Sequence, residues 1–175
     1  MVTFRIDDVS VNTDMEKLWV MITLIKEKHP DARIIYGVSL IVCDGVGERV
    51  FHKIWNARSD FRKFFELDSL GIPKNIPKGE LASHGLIHVD HRFLDRQAQE
   101  MSIITSSSIL YSDLFIPPFN KWNKITEEIC KEYNIELIKF EDGWNHLKCE
   151  RHSEKDLFYF HTHDFTLEEF KSRIP

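Results

Sequence analysis

The stretch VTFRIDDVSVNTDMEKLWVMITLIKEKHPDARIIYGVSLIV, residues 2–42, decides the fold class. Residues 2–6 predict a short β-strand. Asp14 is a suitable helix N-cap, and the apolar side chains within 15–28 recur at the 3.6-residue period of a helix. Residues 33–42 are rich in β-branched and apolar side chains, which predicts a buried strand. The stretch therefore predicts a strand, a helix and a second strand in succession.

The same alternation continues along the chain. Further strands are predicted at 80–83, 114–116, 136–140 and 157–160, and further helices at 94–110, 120–133 and 166–172, the last capped by Thr166 with Glu169 three residues on. Residues 44–78 combine glycines, prolines and aromatic segments, and their secondary structure cannot be assigned. Alternating strands and helices favour a parallel α/β fold.

Length and composition limit the function classes. The chain has 175 residues, the size of one domain. Its 23 Lys and Arg against 28 Asp and Glu give a net charge of −5, which argues against a nucleic-acid partner because such binding needs a basic face. The longest apolar run is about six residues, too short for a membrane span. No signal peptide is visible, and Cys43, Cys130 and Cys149 are too scattered for a disulfide framework, so we expect a cytoplasmic protein.

Polar residues cluster where four of the predicted strands end. They are the pair Asp7 and Asp8, the pair His84 and His88, the segment 117–120, and the segment 161–164. In parallel α/β folds the active site lies at the carboxyl ends of the strands. These four clusters are therefore expected to converge on one rim.

The aspartates and the first histidine pair suggest a metal site. Two adjacent carboxylates ionise at a cost unless a cation sits beside them, so one could bind a metal while the other acts as a base. His84 and His88 have i, i+4 spacing and would face the same way on a helical turn, and His91 offers an alternative pairing with His88. Two His and one carboxylate leave open positions for water and substrate, and zinc, iron, cobalt and manganese all suit those ligands.

The remaining clusters suggest acid catalysis and substrate binding. His161 and His163 are alternate residues, and either could donate a proton to a leaving amine. Pro117 and Pro118 hold an extended backbone, so the N–H of Phe119 could stabilise an oxyanion. Trp144 could stack on a sugar ring at the rim of the pocket or pack in the core.

These residues, in this order, resemble the polysaccharide deacetylases of the NodB-homology type, and the resemblance spans residues 4–164. The segment Phe4-Arg-Ile-Asp-Asp-Val9 matches a strand that ends in paired aspartates. The resemblance implies Asp7 as the general base and Asp8 as a metal ligand. The segment from Glu80 to His88 matches the second motif and implies His84 and His88 as the other metal ligands.

The later motifs depart from the family pattern. Where the family has Arg-x-Pro-aromatic-Gly, this chain has Ile116-Pro-Pro-Phe-Asn120, without the Arg that orients the catalytic aspartate. Arg5 lies two residues before Asp7 on the same strand face and is a candidate substitute. The segment 160–164 resembles the last motif and implies His161 as the general acid, with His163 second. Further substrate contacts are assigned to Arg5 and to Pro118, Phe119 and Trp144.

The resemblance implies a fold, a reaction and a cofactor. The fold would be an irregular seven-stranded (β/α) barrel formed by one domain over residues 1–175. The reaction would be metal-assisted removal of an acetyl group from an N-acetylated sugar or a related amide, with one divalent transition metal, zinc first. The expected substrate is an N-acetylated sugar or oligosaccharide inside the cell. The oligomeric state is not readable from the sequence.

Two other functions stay open at this point. The missing Arg of the third motif allows a catalytically inactive carbohydrate-binding or scaffold domain of the same fold. The segment from His88 to Asp90, with a distant histidine such as His152, matches the loose pattern of non-haem iron oxygenases. That chemistry is typical of an all-β jelly roll, which the alternating helices and the scarcity of glycine disfavour.

Overall fold

The fold was determined as a computed structural model that describes residues 1–10, 12–40, 75–148 and 155–175. The aromatic segments between 44 and 74, together with Cys43, Cys149 and His152, lie outside the described residues. The Cys130 thiol is buried and not in a disulfide.

In the described part of the chain, seven parallel strands form one curled sheet, a half-barrel with helices packed on it, which confirms the predicted α/β barrel class. The strands are β1 (Thr3–Val9), β2 (Arg33–Val38), β3 (Glu80–Ser83), β4 (Leu114–Phe115), β5 (Glu136–Leu137), β6 (Asn145–His146) and β7 (Leu157–His161). Their order across the sheet is β5-β4-β3-β2-β1-β7-β6. The described α-helices are α1 (Met15–Lys28), α2 (Arg96–Leu110), α3 (Lys124–Glu132) and α4 (Leu167–Arg173).

The first and last helices agree with their sequence patterns. Asp14 caps α1 by accepting a hydrogen bond from the Lys17 N–H at 3.0 Å. The predicted apolar face of α1 is buried in the core: Leu18, Met21, Ile22 and Ile25. Thr166 and Glu169 form the predicted capping box of α4. These local patterns were sufficient because capping and periodicity depend on neighbouring residues only.

The segments around the third cluster differ from prediction. The helix expected from residue 120 begins at Lys124, where Asn123 is the cap. Before it, Pro118–Asn120 forms a 3-10 turn in which Phe119 and Asn120 have positive φ. The strand expected at 136–140 is only Glu136–Leu137, and β6 was not predicted because two residues carry no readable pattern.

The sheet places its apolar side chains under the helices and its polar ends on one edge. Phe4 and Ile6 of β1 pack with Phe158 and Phe160 of β7 in the largest core cluster. A parallel sheet covered by helices is not a jelly roll, so the described part of the chain lacks the scaffold typical of the oxygenase alternative. Among the described residues, no helix has the length and apolar character that a membrane span requires.

Candidate metal centre and active site

An open cleft of about 510 Å³ lies at the carboxyl edge of the sheet. Most of the side chains that the sequence assigned to a site line this cleft: Asp7, Asp8, His84, His88, Phe119, His161 and His163. Three others, Arg5, Pro118 and Trp144, do not line it. The parallel sheet brings these residues together because strands distant in sequence end at the same edge.

An irregularity at the end of β1 brings both aspartates to the cleft. The register between β1 and β2 shifts between Ile6 and Val9, and Asp8 has a φ of 59°. Neighbouring residues in a regular strand face opposite sides of the sheet, so without this turn one carboxylate would point away. The Asp7 side chain is almost fully buried, whereas Asp8 is about one third exposed.

His84 and His88 meet on a loop, and the expectation of a helical turn is wrong. β3 ends at Ser83, and the chain then turns through Gly85 at φ +84°. A Cβ at this position would lie 2.9 Å from the Ile87 carbonyl oxygen, so the turn requires glycine. The turn leaves Nε2 of His84 3.1 Å, and Nε2 of His88 3.0 Å, from Asp8 Oδ1.

The first cluster, which we define as Asp8, His84 and His88, fits a divalent cation. His84 Nδ1 lies 2.8 Å from the Ile116 carbonyl oxygen, which can only accept, so Nδ1 carries the proton. Nε2 of a neutral His84 therefore presents a lone pair to Asp8. Asp8 Oδ1 is buried without a hydrogen-bond partner among the described residues. Two electron-rich atoms this close need a proton or a cation between them, and the three ligand atoms lie within 4.8 Å of one another, close enough to share one cation.

Asp7 is held by a buried arginine on the same strand. Arg5 Nη2 donates to Asp7 Oδ2 at 2.8 Å, and the Arg5 side chain has no solvent exposure. Its guanidinium lies over the Trp144 ring at 5.0 Å and over the Tyr159 ring at 4.8 Å. Cation–π contacts of this kind stabilise a buried guanidinium and fix the plane in which it lies.

This packing decides where Trp144 lies. Its side chain is 8% exposed and contacts Arg5, which corresponds to the core position that the sequence left open rather than to the rim of the cleft. Arg5 is likewise shielded from the cleft and contacts Asp7 instead of solvent. Because the side chains of Arg5 and Trp144 are both buried, neither presents a surface that a substrate could contact in this structure.

The proline loop between β4 and α3 forms one wall of the cleft. Pro118 is buried, whereas the Phe119 side chain is 54% exposed and packs edge-on against His88 with ring centroids 4.3 Å apart. Phe119 has a φ of 56°, a left-handed conformation that a bulky residue rarely adopts. Such backbone strain clusters at functional sites, where the surrounding structure enforces it.

His161, at the end of β7, lies between two carboxylates, those of Asp164 and Asp8. Its Nδ1 lies 2.9 Å from Asp164 Oδ2, and its Nε2 lies 3.5 Å from Asp8 Oδ2. Its backbone N–H also donates to Asp164 Oδ2 at 2.8 Å. His163 is exposed, and its ring stacks on His161 with centroids 5.2 Å apart. Of the two, His161 is the one that a neighbouring carboxylate orients.

Asp164 is a strong hydrogen-bond acceptor for both the backbone N–H and the Nδ1 of His161. Burial by itself would raise the pKa of this carboxyl, but hydrogen bonds from His161 and from Lys148 outweigh it and lower the pKa to about 2. Lys148 Nζ lies 3.0 Å from Asp164 Oδ1. The sequence contained Asp164 within the last cluster, but it gave no reason to assign it a role.

His146 is a cleft residue that sequence reasoning missed altogether. It comes from the two-residue strand β6, and its Nε2 lies 3.2 Å from Asp164 Oδ2. The backbone N–H of Lys148 donates to His146 Nδ1 at 3.1 Å, so Nε2 of neutral His146 carries the proton and donates to Asp164. Burial lowers the pKa of His146, which favours the neutral ring.

The second cluster, which we define as His146, His161 and Asp164, is therefore a hydrogen-bond network. Its ligand atoms also lie within 4.8 Å of one another. Both imidazoles, however, point N–H groups at the same carboxylate oxygen, and Lys148 neutralises its other oxygen. No lone pair is left facing a shared centre, so this cluster suits proton handling rather than metal binding.

Two residues from the alternative hypotheses lie elsewhere. His91 is completely buried, with Nε2 3.2 Å from Ser102 Oγ and its ring against Phe115, and burial lowers its pKa to about 3. It does not join the first cluster, so the alternative pairing with His88 is wrong. Asp90 accepts hydrogen bonds from Arg92 and caps the 3-10 turn His91–Phe93 instead of meeting His88.

Solved structures with this arrangement of strands have been described. A family 4 carbohydrate esterase from Streptomyces lividans superposes with a TM-score of 0.57 over 99% of this chain and 83% of its own, at 11% identity. The chain has the fold of the family 4 carbohydrate esterases. A chitin deacetylase from Colletotrichum lindemuthianum gives a TM-score of 0.51 over 98% of this chain and 81% of its own, at 12% identity.

The family 4 fold also includes a protein described as a pseudoenzyme. This protein, from Bacillus anthracis, gives a TM-score of 0.57 over 99% of this chain and 59% of its own, at 15% identity. By sequence, no family model and no curated protein matches the chain. At these identities the likeness shows the fold, and what the site does has to be argued from its own geometry.

Proposed function

We propose that this protein is a metal-dependent hydrolase that removes the acetyl group from an N-acetylated sugar or a related amide. The observation that carries the proposal is the pairing of two kinds of site in one cleft. Nε2 of His84 and Nε2 of His88 both lie within about 3 Å of Asp8 Oδ1, and Asp7 and His161 line the same cleft with their own orienting partners. The likeness of the fold to solved carbohydrate esterases supports the same reaction class.

The first cluster would hold the cation. Asp8, His84 and His88 form a two-histidine, one-carboxylate set, for which zinc is the first candidate and iron, cobalt or manganese the alternatives. A divalent cation bound there supplies an acidified water and a Lewis acid for the acyl oxygen. The Ile116 carbonyl keeps His84 in the tautomer that ligation requires.

Asp7 would take the proton from the attacking water. Its carboxylate lines the cleft beside Asp8, and Arg5 fixes it from behind through Oδ2. Asp7 Oδ1 has no hydrogen-bond partner among the described residues, so this oxygen would be the one to receive the proton once substrate and water are bound. General-base catalysis of this kind contributes about 10²- to 10⁴-fold.

His161 would protonate the departing nitrogen. Its Nδ1–H is held by Asp164, so its Nε2 faces the cleft, where a proton can be passed to a leaving amine. An amide needs this step because an unprotonated amine anion is a very poor leaving group. His163, stacked on His161, is the second candidate for the same role.

The proline loop would complete the oxyanion site. The N–H of Phe119 lies in a backbone turn that Pro117 and Pro118 hold rigidly, and the exposed Phe119 ring offers an apolar surface to the sugar. A hydrogen bond from a fixed N–H to the developing oxyanion is worth about 10²- to 10³-fold in rate.

An inactive carbohydrate-binding domain is the second candidate. It is favoured by the structural likeness to a family 4 pseudoenzyme and by the absence of an Arg in the segment 116–120. An inactive relative would have little need of an oriented Asp7, whereas here the buried Arg5 still holds it. For this reason the hydrolase is the preferred function.

One experiment separates the two candidates. The purified protein is analysed for bound transition metals and then assayed for acetate release from N-acetylglucosamine and its oligomers, before and after zinc is added. We expect about one metal ion per chain and metal-dependent release of acetate. Bound sugar without acetate release, in protein loaded with each of the four metals, would establish the binding domain instead.

A further inference from the structure

We infer that Asn120 is a positioning residue for the reaction, because its side chain holds the buried Arg5 guanidinium against Asp7. The inference rests on the proposed function, in which Asp7 is the base. The sequence assigned no role to Asn120. It lies in the proline loop between β4 and α3, 115 positions away from Arg5 in the chain.

Arg5 is poorly anchored for a buried arginine. The side chain has no solvent exposure, yet Nε and Nη1 have no hydrogen-bond partner among the described residues. The rings of Trp144 and Tyr159 cover the guanidinium faces, which restrains its plane but leaves it able to slide or turn within that plane. Hydrogen bonds at Nη2 therefore decide where the group sits.

Nη2 has two N–H groups and two acceptors. One acceptor is Asp7 Oδ2 at 2.8 Å, and the other is Asn120 Oδ1 at 2.5 Å. Because Nη2 can only donate, the Asn120 atom that faces it must be the amide oxygen. With both contacts the guanidinium is pinned between β1 and the proline loop. Without Asn120, only the contact with Asp7 is left to fix it.

A simpler explanation for an asparagine here is its backbone. Asn120 has a φ of 54°, and asparagine is among the residues that tolerate this left-handed region best, after glycine. If the backbone were the only reason, glycine would serve equally well or better. If the side chain holds Arg5, glycine removes the acceptor and leaves a buried N–H without a partner.

The two explanations therefore rank the variants differently. With a positioning role, Asn120→Gly lowers kcat by about 10- to 100-fold, since a shift of the base by about 1 Å is enough to cost this much. KM changes little, because Asp7 contacts the water and not the sugar. Asn120→Asp keeps an acceptor at the same place and recovers part of the rate. A purely conformational role leaves Asn120→Gly as active as the wild type.

Asn134 supplies a matched control. It is also an asparagine with a φ of 54°, but it is exposed and follows the C-terminal end of α3, whereas the proline loop precedes the N-terminal end. Asn134→Gly should leave both kcat and KM unchanged. Both glycine variants should fold, because each backbone already has the conformation that glycine favours. Asn134→Gly should melt like the wild type, and Asn120→Gly at a lower temperature, since it leaves a buried N–H without a partner.

A double-variant cycle and a spectrum complete the test. Once Arg5→Met has removed the guanidinium, Asn120→Gly should have little further effect on kcat; an undiminished loss in that background would overturn the inference. In arginine-labelled wild-type protein the Nη signals of Arg5 should be resolved and slow to exchange, and they should broaden in Asn120→Gly but not in Asn134→Gly. Unchanged Arg5 signals would also overturn it.

The spectrum distinguishes failure of this inference from failure of the proposed function. If the wild-type protein releases no acetate from N-acetylglucosamine with any metal, the hydrolase is wrong. The Arg5 signals then still show whether Asn120 holds the guanidinium, since that measurement needs neither substrate nor turnover.

Discussion

The two histidine–aspartate clusters of the cleft contain the same residue types and differ in where their protons point. In the first cluster the Ile116 carbonyl accepts a hydrogen bond from the Nδ1–H of His84, so the other nitrogen offers a lone pair to Asp8. In the second, the Lys148 amide donates to His146 Nδ1, so the other nitrogen offers a proton to Asp164. The contacts on the far side of each ring therefore distinguish a metal site from a proton site.

Removing one histidine from each cluster tests this difference most directly. His84→Ala should abolish both metal binding and acetate release, because it removes one of the three ligands. His146→Ala should retain about one metal ion per chain. Metal content is measured on the purified variants after zinc loading. Equal metal loss in both variants would mean that the two clusters are not distinct.

A second test removes the base while leaving the metal in place. Asp7→Asn keeps the shape of the side chain and the neighbouring ligands, so metal content should stay at the wild-type level. The rate of acetate release should fall by about 10²- to 10⁴-fold, the usual contribution of a general base. The rate and the metal content are measured on the same preparation, and a fully active variant would contradict the assignment of Asp7.

Much of the scaffold for both clusters could be predicted from sequence. The helix Met15–Lys28 and the strand Glu80–Ser83 have the predicted bounds, since caps, periodicity and apolar runs are local properties. The convergence of Asp8, His84 and His161 on one edge followed from the parallel order of the strands, a rule about topology that requires no side-chain detail.

The parts that could not be predicted depend on contacts between distant segments. β6 has two residues and no pattern of its own, so His146 could not be placed beside Asp164. The loop through Gly85 is held by contacts from outside it, such as the hydrogen bond from the Leu86 N–H to Ser102 Oγ at 3.1 Å, whereas i, i+4 spacing alone suggested a helical turn. Trp144 could be a core or a rim residue until the position of Arg5 was known.

A third prediction concerns the carboxylate of the second cluster. Asp164→Asn removes the charge that orients His161 and would stabilise its protonated form. Acetate release from N-acetylglucosamine should fall by about 10- to 100-fold, the range typical of partners that orient a functional imidazole. Hydrolysis of 4-nitrophenyl acetate should change far less, because its leaving group departs without a proton.

The decisive measurement is the difference between the losses of rate with the two substrates. A general loss of structure or of metal would slow both reactions together. The matched comparison is His84→Ala, which should reduce both. If Asp164→Asn slowed the hydrolysis of the amide, N-acetylglucosamine, and of the activated ester, 4-nitrophenyl acetate, by the same factor, the second cluster would not act on the leaving group.

The smallest effect is expected one step further from the reaction, at His146. His146→Gln keeps a side-chain N–H that can reach Asp164, so acetate release should stay within about threefold of the wild type. His146→Ala leaves Asp164 with its contacts from His161 and Lys148, which already hold its pKa near 2, and should cost only about 3- to 10-fold, with the activated ester unaffected. A loss with alanine that glutamine does not restore would mean that His146 meets the substrate directly, and the second cluster would then extend to the binding surface.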